Sequence, residues 1–273
     1  MKAAAFEYQK PTELSAVVSA LRASNGEAKL FGGGQSLGPM LNLRLARPKK
    51  ILDVSTLPAL KVIEDLGAAW RIGGGVTHAM LEDRVLVGCE PLAQVARGIA
   101  YRAIRNRGTV GGSLAHADPA ADWPLTMPAL GATIVIAGVS GERRVAAESF
   151  MTAAFGTALA EDEIIAAVEV PKISADARWG YWKFCRKTGE FPEASAAVLL
   201  DPQRKVARVW VGALNGAPQS LNALAVDIAQ RGFLAISDLS VSQALEPVLG
   251  KIDAAQRRLH QTAVRRAVQL ATA

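Results

Sequence analysis

Two short runs dominate the chemistry this chain could perform: Gly32, Gly33, Gly34, Gln35, Ser36, Leu37 and Gly38, then Thr109, Val110, Gly111, Gly112 and Ser113. Glycine clears side chains from between backbone N–H groups, so several can converge on one anion such as a phosphate chain. The second run continues through Leu114, Ala115, His116, Ala117, Asp118, Pro119, Ala120, Ala121, Asp122, Trp123 and Pro124. That stretch keeps small residues and two acids in an apolar setting. A nucleotide-type cofactor pinched between two loops suits these residue types.

Other glycine signatures fail on spacing. A Rossmann turn needs Gly-x-Gly-x-x-Gly, but Leu37 and His78 fill the sixth place of the patterns that start at Gly32 and Gly73. Gly33 and Gly38 have phosphate-loop spacing, yet Pro39 and Met40 replace its Lys-Ser/Thr pair. Three scattered histidines (His78, His116, His260) without clustered thiols make no zinc site. No Ser-His-Asp arrangement is recognisable around Ser36 or Ser113. Cys89 and Cys185 alone give neither a disulfide framework nor iron–sulfur ligation.

The chain has 273 residues, half of them hydrophobic, enough for a sizeable core in two domains or lobes. No apolar run approaches the roughly 20 residues that span a bilayer. Glu7 arrives too soon for a signal-peptide core, so a cytoplasmic protein is expected. The formal charge is +6, with basic residues concentrated at 97–107, 183–187 and near Arg257, Arg258, Arg265 and Arg266. Without aromatic interleaving or a recognition motif, this points to a solvated basic surface or an acidic partner rather than nucleic acid.

The elements that must position the glycine runs follow from periodicity and breakers. Thr12 is expected to cap a helix with Leu14, Val17, Val18 and Leu21 on one face, ended by Ser24, Asn25 and Gly26. Residues 28–31 form a strand delivering the chain to the first glycine run, 36–44 a helix, and 50–54 a strand. Residues 61–64 and 69–72 pair as a hairpin, 76–83 start a helix, and 92–103 form one continuous helix feeding the second run. Strands follow at 133–137, 143–146 and 164–170, with a linker at 171–176. Beyond it come strands 179–186, 194–200 and 206–213, then helices 221–229, 239–245 closed by Pro247, and 254–271. The last helix is expected to turn Leu259, Ala263, Ala267 and Leu270 inward.

With the two glycine runs and the segment Tyr181, Trp182, Lys183, Phe184, Cys185, Arg186 and Lys187 in order, the chain resembles the flavin-binding medium subunits of the xanthine dehydrogenase and carbon monoxide dehydrogenase family of molybdenum hydroxylases. The resemblance implies an α+β fold: a two-lobed FAD-binding fold of the PCMH (vanillyl-alcohol-oxidase-like) type, then a C-terminal α/β domain of the CO dehydrogenase flavoprotein type. It divides the chain at 1–57, 58–173 and 177–273. Some family members carry a cysteine-rich insertion with its own cluster. Here it is missing, which puts any iron–sulfur relay on a partner chain.

Carried over residue by residue, the resemblance assigns FAD to Leu30, Gly32, Gly33, Gly34, Gln35, Ser36 and Leu37, with the N–H groups of residues 33–36 on the pyrophosphate. Thr109, Gly112, Ser113, Ala115 and His116 would continue the site, and Asp122 would accept from adenosine ribose hydroxyls. Ile99, Ala100 and Ile104 would line the adenine end, while Ile165 and Lys183 would lie near the isoalloxazine. His116 stays open between touching the cofactor and capping its loop, and Asp118 between a ligand and an Asp-Pro turn. The family circuit joins a large molybdopterin-binding subunit, a small subunit with two [2Fe-2S] clusters, and this chain, as a dimer of heterotrimers. A stand-alone FAD-dependent oxidase or reductase is the alternative, and a non-catalytic binding module a third.

Overall fold

The computed structural model describes residues 2–232 and 236–273. Its first sheet holds β1 (Glu7–Gln9), β2 (Ala28–Phe31) and β3 (Lys50–Asp53), with α1 (Leu14–Ala23) and α2 (Leu37–Asn42) in the connections. β3 is central and parallel to both neighbours, so all three strands end at one edge, where residues 32–36 leave β2. Glu13, not Thr12, occupies the N-cap of α1 and no side chain bonds there. The expected face is buried: Val17, Val18 and Leu21.

The second region runs from β4 (Ile63–Asp65) and β5 (Ala69–Gly73) through helices α3 (His78–Glu82), α4 (Glu90–Arg97), α5 (Arg102–Arg105), α6 (Val110–His116) and α7 (Asp122–Leu130). It closes with β6 (Thr133–Gly138), β7 (Gly141–Ala146), α8 (Ala147–Phe150), β8 (Met151–Ala153), β9 (Gly156–Thr157) and β10 (Ile164–Pro171). Five strands form an antiparallel sheet in the order β4-β5-β10-β6-β7. β10 is covered on both faces over most of its length, which is why residues 164–168 are an unbroken apolar run before Glu169. Ile165, Val168 and Val170 enter the core beneath α4, α6 and α7, whereas Ile164, Ala166 and Ala167 pack with Val17, Leu21 and Leu52. A bulge between Ile165 and Ala167 adjusts that alternation.

The continuous helix expected over 92–103 is two helices. α4 stops at Gly98, Ala100 takes a left-handed φ of 41°, and α5 starts at Arg102. The carbonyls that would have continued the helix are diverted to cations. Lys183 Nζ donates to Gly98 at 2.9 Å, and Arg105 Nη1 donates to Ile99 at 2.9 Å and Ala100 at 3.1 Å.

The third region is a four-stranded antiparallel sheet of β11 (Arg178–Phe184), β12 (Ala194–Asp201), β13 (Val206–Gly212) and β14 (Gln219–Ser220). Helices α9 (Asn222–Arg231), α10 (Asp238–Leu249) and α11 (Ala254–Thr272) follow, and their apolar faces form one core with the sheet. On the other side Leu125 and Ala129 of α7 pack with Ala197, Trp210, Trp179 and Tyr181. Pro247 lies inside the last turn of α10 rather than ending it, and its missing N–H costs that turn one intrahelical hydrogen bond. The inward face of α11 is His260, Ala263, Val264, Ala267, Val268 and Ala271, whereas Leu270 is 51% exposed. Gly180 lets that helix lie on β11, because a Cβ there would stand 1.9 Å from the Ala267 carbonyl oxygen.

Gly180→Ala is therefore expected to destabilise the chain by about 1–3 kcal/mol, measured by urea unfolding. A pH effect follows from two buried imidazoles. Burial lowers His260 to about 4, and burial with the nearby Arg105 charge does the same to His78. Both titrate near 6.5 when unfolded, so between those values the unfolded chain holds more protons. Stability should be intact above about pH 6.5 and fall on acidification towards 4. His260→Leu should flatten the drop in urea midpoint between about pH 7 and 5.

Candidate functional site

The two glycine runs meet across the lobes. A Cβ on Gly33 would lie 2.0 Å from the Arg107 carbonyl oxygen and 2.8 Å from Gly108 Cα. Gly34 has φ +72° and lies under the Phe31 ring, where a Cβ would come within 2.1 Å. These contacts exclude every other residue type and press the first loop onto the segment leading into α6. Among the described residues, the N–H groups of Gly33, Gly34, Gln35 and Ser36 donate to no other residue. Four consecutive unpaired donors in a glycine turn are the chemistry that suits an anion. The cradle thus fits a pyrophosphate on this structure's own terms. Leu30 and Leu37 flank it, both partly buried.

The second run is not a loop. Thr109 is the N-cap of α6, its Oγ1 accepting from Gly112 N at 3.0 Å, and Val110, Gly111 and Leu114 are buried. Gly111 packs on Gly74, where a Cβ would come within 2.6 Å of the carbonyl oxygen. Gly112 and Ala115 are exposed, and Ser113 is partly so. Thr109 Oγ1 also lies within 3.2 Å of where a Cβ on Gly32 would stand, so its hydroxyl borders both runs. Among the described residues His116 makes no capping bond, and its ring centroid lies 5.2 Å from that of Phe155. Asp118 makes the Asx turn of an Asp-Pro pair, Oδ1 accepting from Ala120 N at 2.9 Å.

Asp122 and Lys183 are brought to one point. Asp122 is 7% exposed, and its Oδ1 accepts from both Lys183 Nζ and Tyr181 OH at 2.6 Å. Burial and the Asp122 charge push the Tyr181 phenol well above its ordinary value, so it stays a donor. Lys183 also reaches the Gly98 carbonyl, beside Ile99 and Ala100. The resemblance sends Asp122 to a ribose and Lys183 to the isoalloxazine, whereas the fold pairs the two side chains at one point. Ile165 is 4% exposed and packs in the core, with its carbonyl and Cγ2 both against Gly74. Ile104 is partly buried, and its carbonyl accepts from Arg107 N and Gly108 N.

Sequence reasoning missed the groups that fix this geometry. Arg105 clamps the turn at 99–100 and is itself held by Glu82 through Nε at 2.7 Å and Nη2 at 3.0 Å. The same arginine holds the Glu82 carboxyl below its usual range. Tyr181 was signalled by its i, i+2 spacing from Lys183, which puts both on one face of a strand. Arg102 is paired with Glu82 and Asp83, so part of the basic cluster at 97–107 is neutralised internally. A cavity of about 500 Å³ lined by Arg178, Leu200, Lys205 and Ala229 contains none of these residues. Among the described residues no cluster of His, Cys, Asp and Glu is placed for a metal, and no helix is long and apolar enough to cross a membrane.

The family described as the FAD binding domain in molybdopterin dehydrogenase matches residues 4–173. The medium subunit of nicotine 6-hydroxylase from Paenarthrobacter nicotinovorans is 37% identical over 221 residues, covering 79% of this chain and 77% of that one. The medium chain of carbon monoxide dehydrogenase from Hydrogenophaga pseudoflava is 34% identical over 219 residues, covering 79% and 76%. Among solved structures, a chain of quinoline 2-oxidoreductase from Pseudomonas putida 86 superposes with a TM-score of 0.88 at 30% identity, covering 100% of this chain and 98% of that one. Carbon monoxide dehydrogenase from Hydrogenophaga pseudoflava gives 0.90 at 30% identity, covering 99% and 98%. With its cradle of free N–H groups and an α+β fold shared along its whole length, this chain belongs to the FAD-binding medium subunits of the molybdenum hydroxylase family, flavoprotein components of oxidoreductases.

Proposed function

We propose that this chain is the electron-transfer flavoprotein of a heterotrimeric molybdenum hydroxylase, taking electrons from [2Fe-2S] clusters on a small partner subunit and passing them through FAD to an external acceptor. A large molybdopterin-binding subunit would oxidise the substrate, and the assembly would be a dimer of heterotrimers. The observation that carries this reading is the row of unpaired N–H groups at residues 33–36, held against the second lobe by Gly33. The lobes would divide near 57–58, with the third domain from 177. Bound flavin exchanges electrons singly or in pairs, and the protein contributes position and electrostatics.

In this reading the first loop and the start of α6 hold the pyrophosphate, with Ser36, Thr109 and Ser113 as hydroxyl donors. Asp122, Lys183 and the turn at 98–100 act together at the isoalloxazine. Asp122 Oδ1 already takes two donors, so the carboxylate cannot grip a ribose diol with both oxygens. Its Oδ2, bonded to no described residue, supplies one acceptor beside the Lys183 ammonium. An acceptor next to a cationic donor complements a pyrimidine edge, where an N–H lies between carbonyls. The ammonium would also stabilise added negative charge on the reduced ring and raise its potential.

Acid release from the purified chain should yield FAD, identified by chromatography. A colourless protein that takes up no added FAD overturns the proposal. Gly33→Val should give apo-protein, and full flavin occupancy in that variant would remove the first loop from the site. Lys183→Ala should bind FAD but lower its potential in a redox titration, whereas an unchanged potential would move this lysine away from the ring. Purification from the native source should bring molybdenum and iron–sulfur subunits along.

A further inference from the structure

The geometry points to His78 as a positioning residue that fixes the phosphate cradle and the Asp122–Lys183 pair relative to each other. The inference rests on the flavin reading above and deepens it. His78 opens α3 and is 5% exposed. Its backbone N–H donates to the Gly108 carbonyl at 2.9 Å, and Thr77 beside it bridges to Thr109. Its ring lies against the same segment, because a Cβ on Gly108 would come within 2.7 Å of Nε2. Gly108 is also where Gly33 of the first loop rests.

On its other side the ring reaches α7. His78 Nδ1 accepts from Trp123 Nε1 at 3.0 Å, and Trp123 is 0% exposed. Trp123 directly follows Asp122, whose carboxylate takes Lys183 and Tyr181. One imidazole thus spaces the floor of the phosphate cradle from the N-terminus of α7. The accepting role at Nδ1 requires the neutral ring with its proton on Nε2. Burial lowers this histidine to about 4 and keeps it in that form. Removing the acceptor would leave a buried indole N–H unpaired, a penalty relieved only if α7 or the 107–109 segment moves.

The test uses the full chain with its flavin, reading the FAD dissociation constant by fluorescence titration and the flavin absorption spectrum. His78→Leu and Trp123→Phe should each weaken FAD binding ~10-fold and shift the visible absorption bands, and the double variant should be no worse than either single one, as for one shared interaction. His78→Asn, which restores an acceptor near the place of Nδ1, should stay within about two-fold of wild type. Wild-type affinity and spectrum in both single variants, or losses that add in the double variant, would overturn the inference. Should His78→Leu fail to fold, Trp123→Phe against His78→Asn decides in the same way. A wild-type chain that takes up no FAD would instead overturn the flavin reading itself.

Discussion

The architecture depends on a close backbone approach between two lobes. Gly33 rests on the carbonyl of Arg107 and on Gly108 across that seam, and within the second region Gly111 rests on Gly74. At these distances a single methyl group would force the segments apart. The cost of such contact is lost conformational restriction in the unfolded chain, which glycine pays most heavily. The return is that four N–H groups of the first loop remain unpaired at the seam. Backbone groups left without partners are tolerated where water or a ligand can reach them.

Around this seam the protein uses cations to shape backbone rather than only to attract anions. Lys183 and Arg105 take three successive carbonyls, Gly98, Ile99 and Ala100, and break what the sequence pattern would make a single helix. Arg105 is neutralised by Glu82, and Lys183 by Asp122. The charges of Arg105 and Lys183 are therefore paired within the chain itself. Because Lys183 comes from β11 and Asp122 from α7, their ion pair ties the third region to the second.

Much of this was legible in the sequence. The glycine runs, the strand ahead of the first and the apolar run of β10 all announce themselves through residue type and period. The break at 98–101 was not legible, because residues 92–103 have good helical periodicity and the competing carbonyl acceptors are held by residues as distant as Lys183. The winding of 110–116 into α6 was hidden by two glycines, poor helix formers, that are present for contact with Gly74 and Thr109. The inward face of α11 was misjudged by one position because Leu270 outweighs Ala271 in any hydropathy pattern, yet only the smaller residue is buried. The meeting of Asp122 with Lys183 depends on tertiary packing, on which local spacing is silent.

β10 also has a consequence for how the chain comes into being. The apolar face of the first sheet and its helix packs against Ile164, Ala166 and Ala167, which lie on the strand that ends the second region. During synthesis, which proceeds from the N-terminus, the early residues have no complete core to join until that strand has left the ribosome. The opening fifth of the chain must wait, exposed, for a strand made more than a hundred residues later. Its even scatter of charges, such as Glu7, Lys10, Glu13, Arg22, Glu27 and Lys29, is suited to keeping it in solution until then.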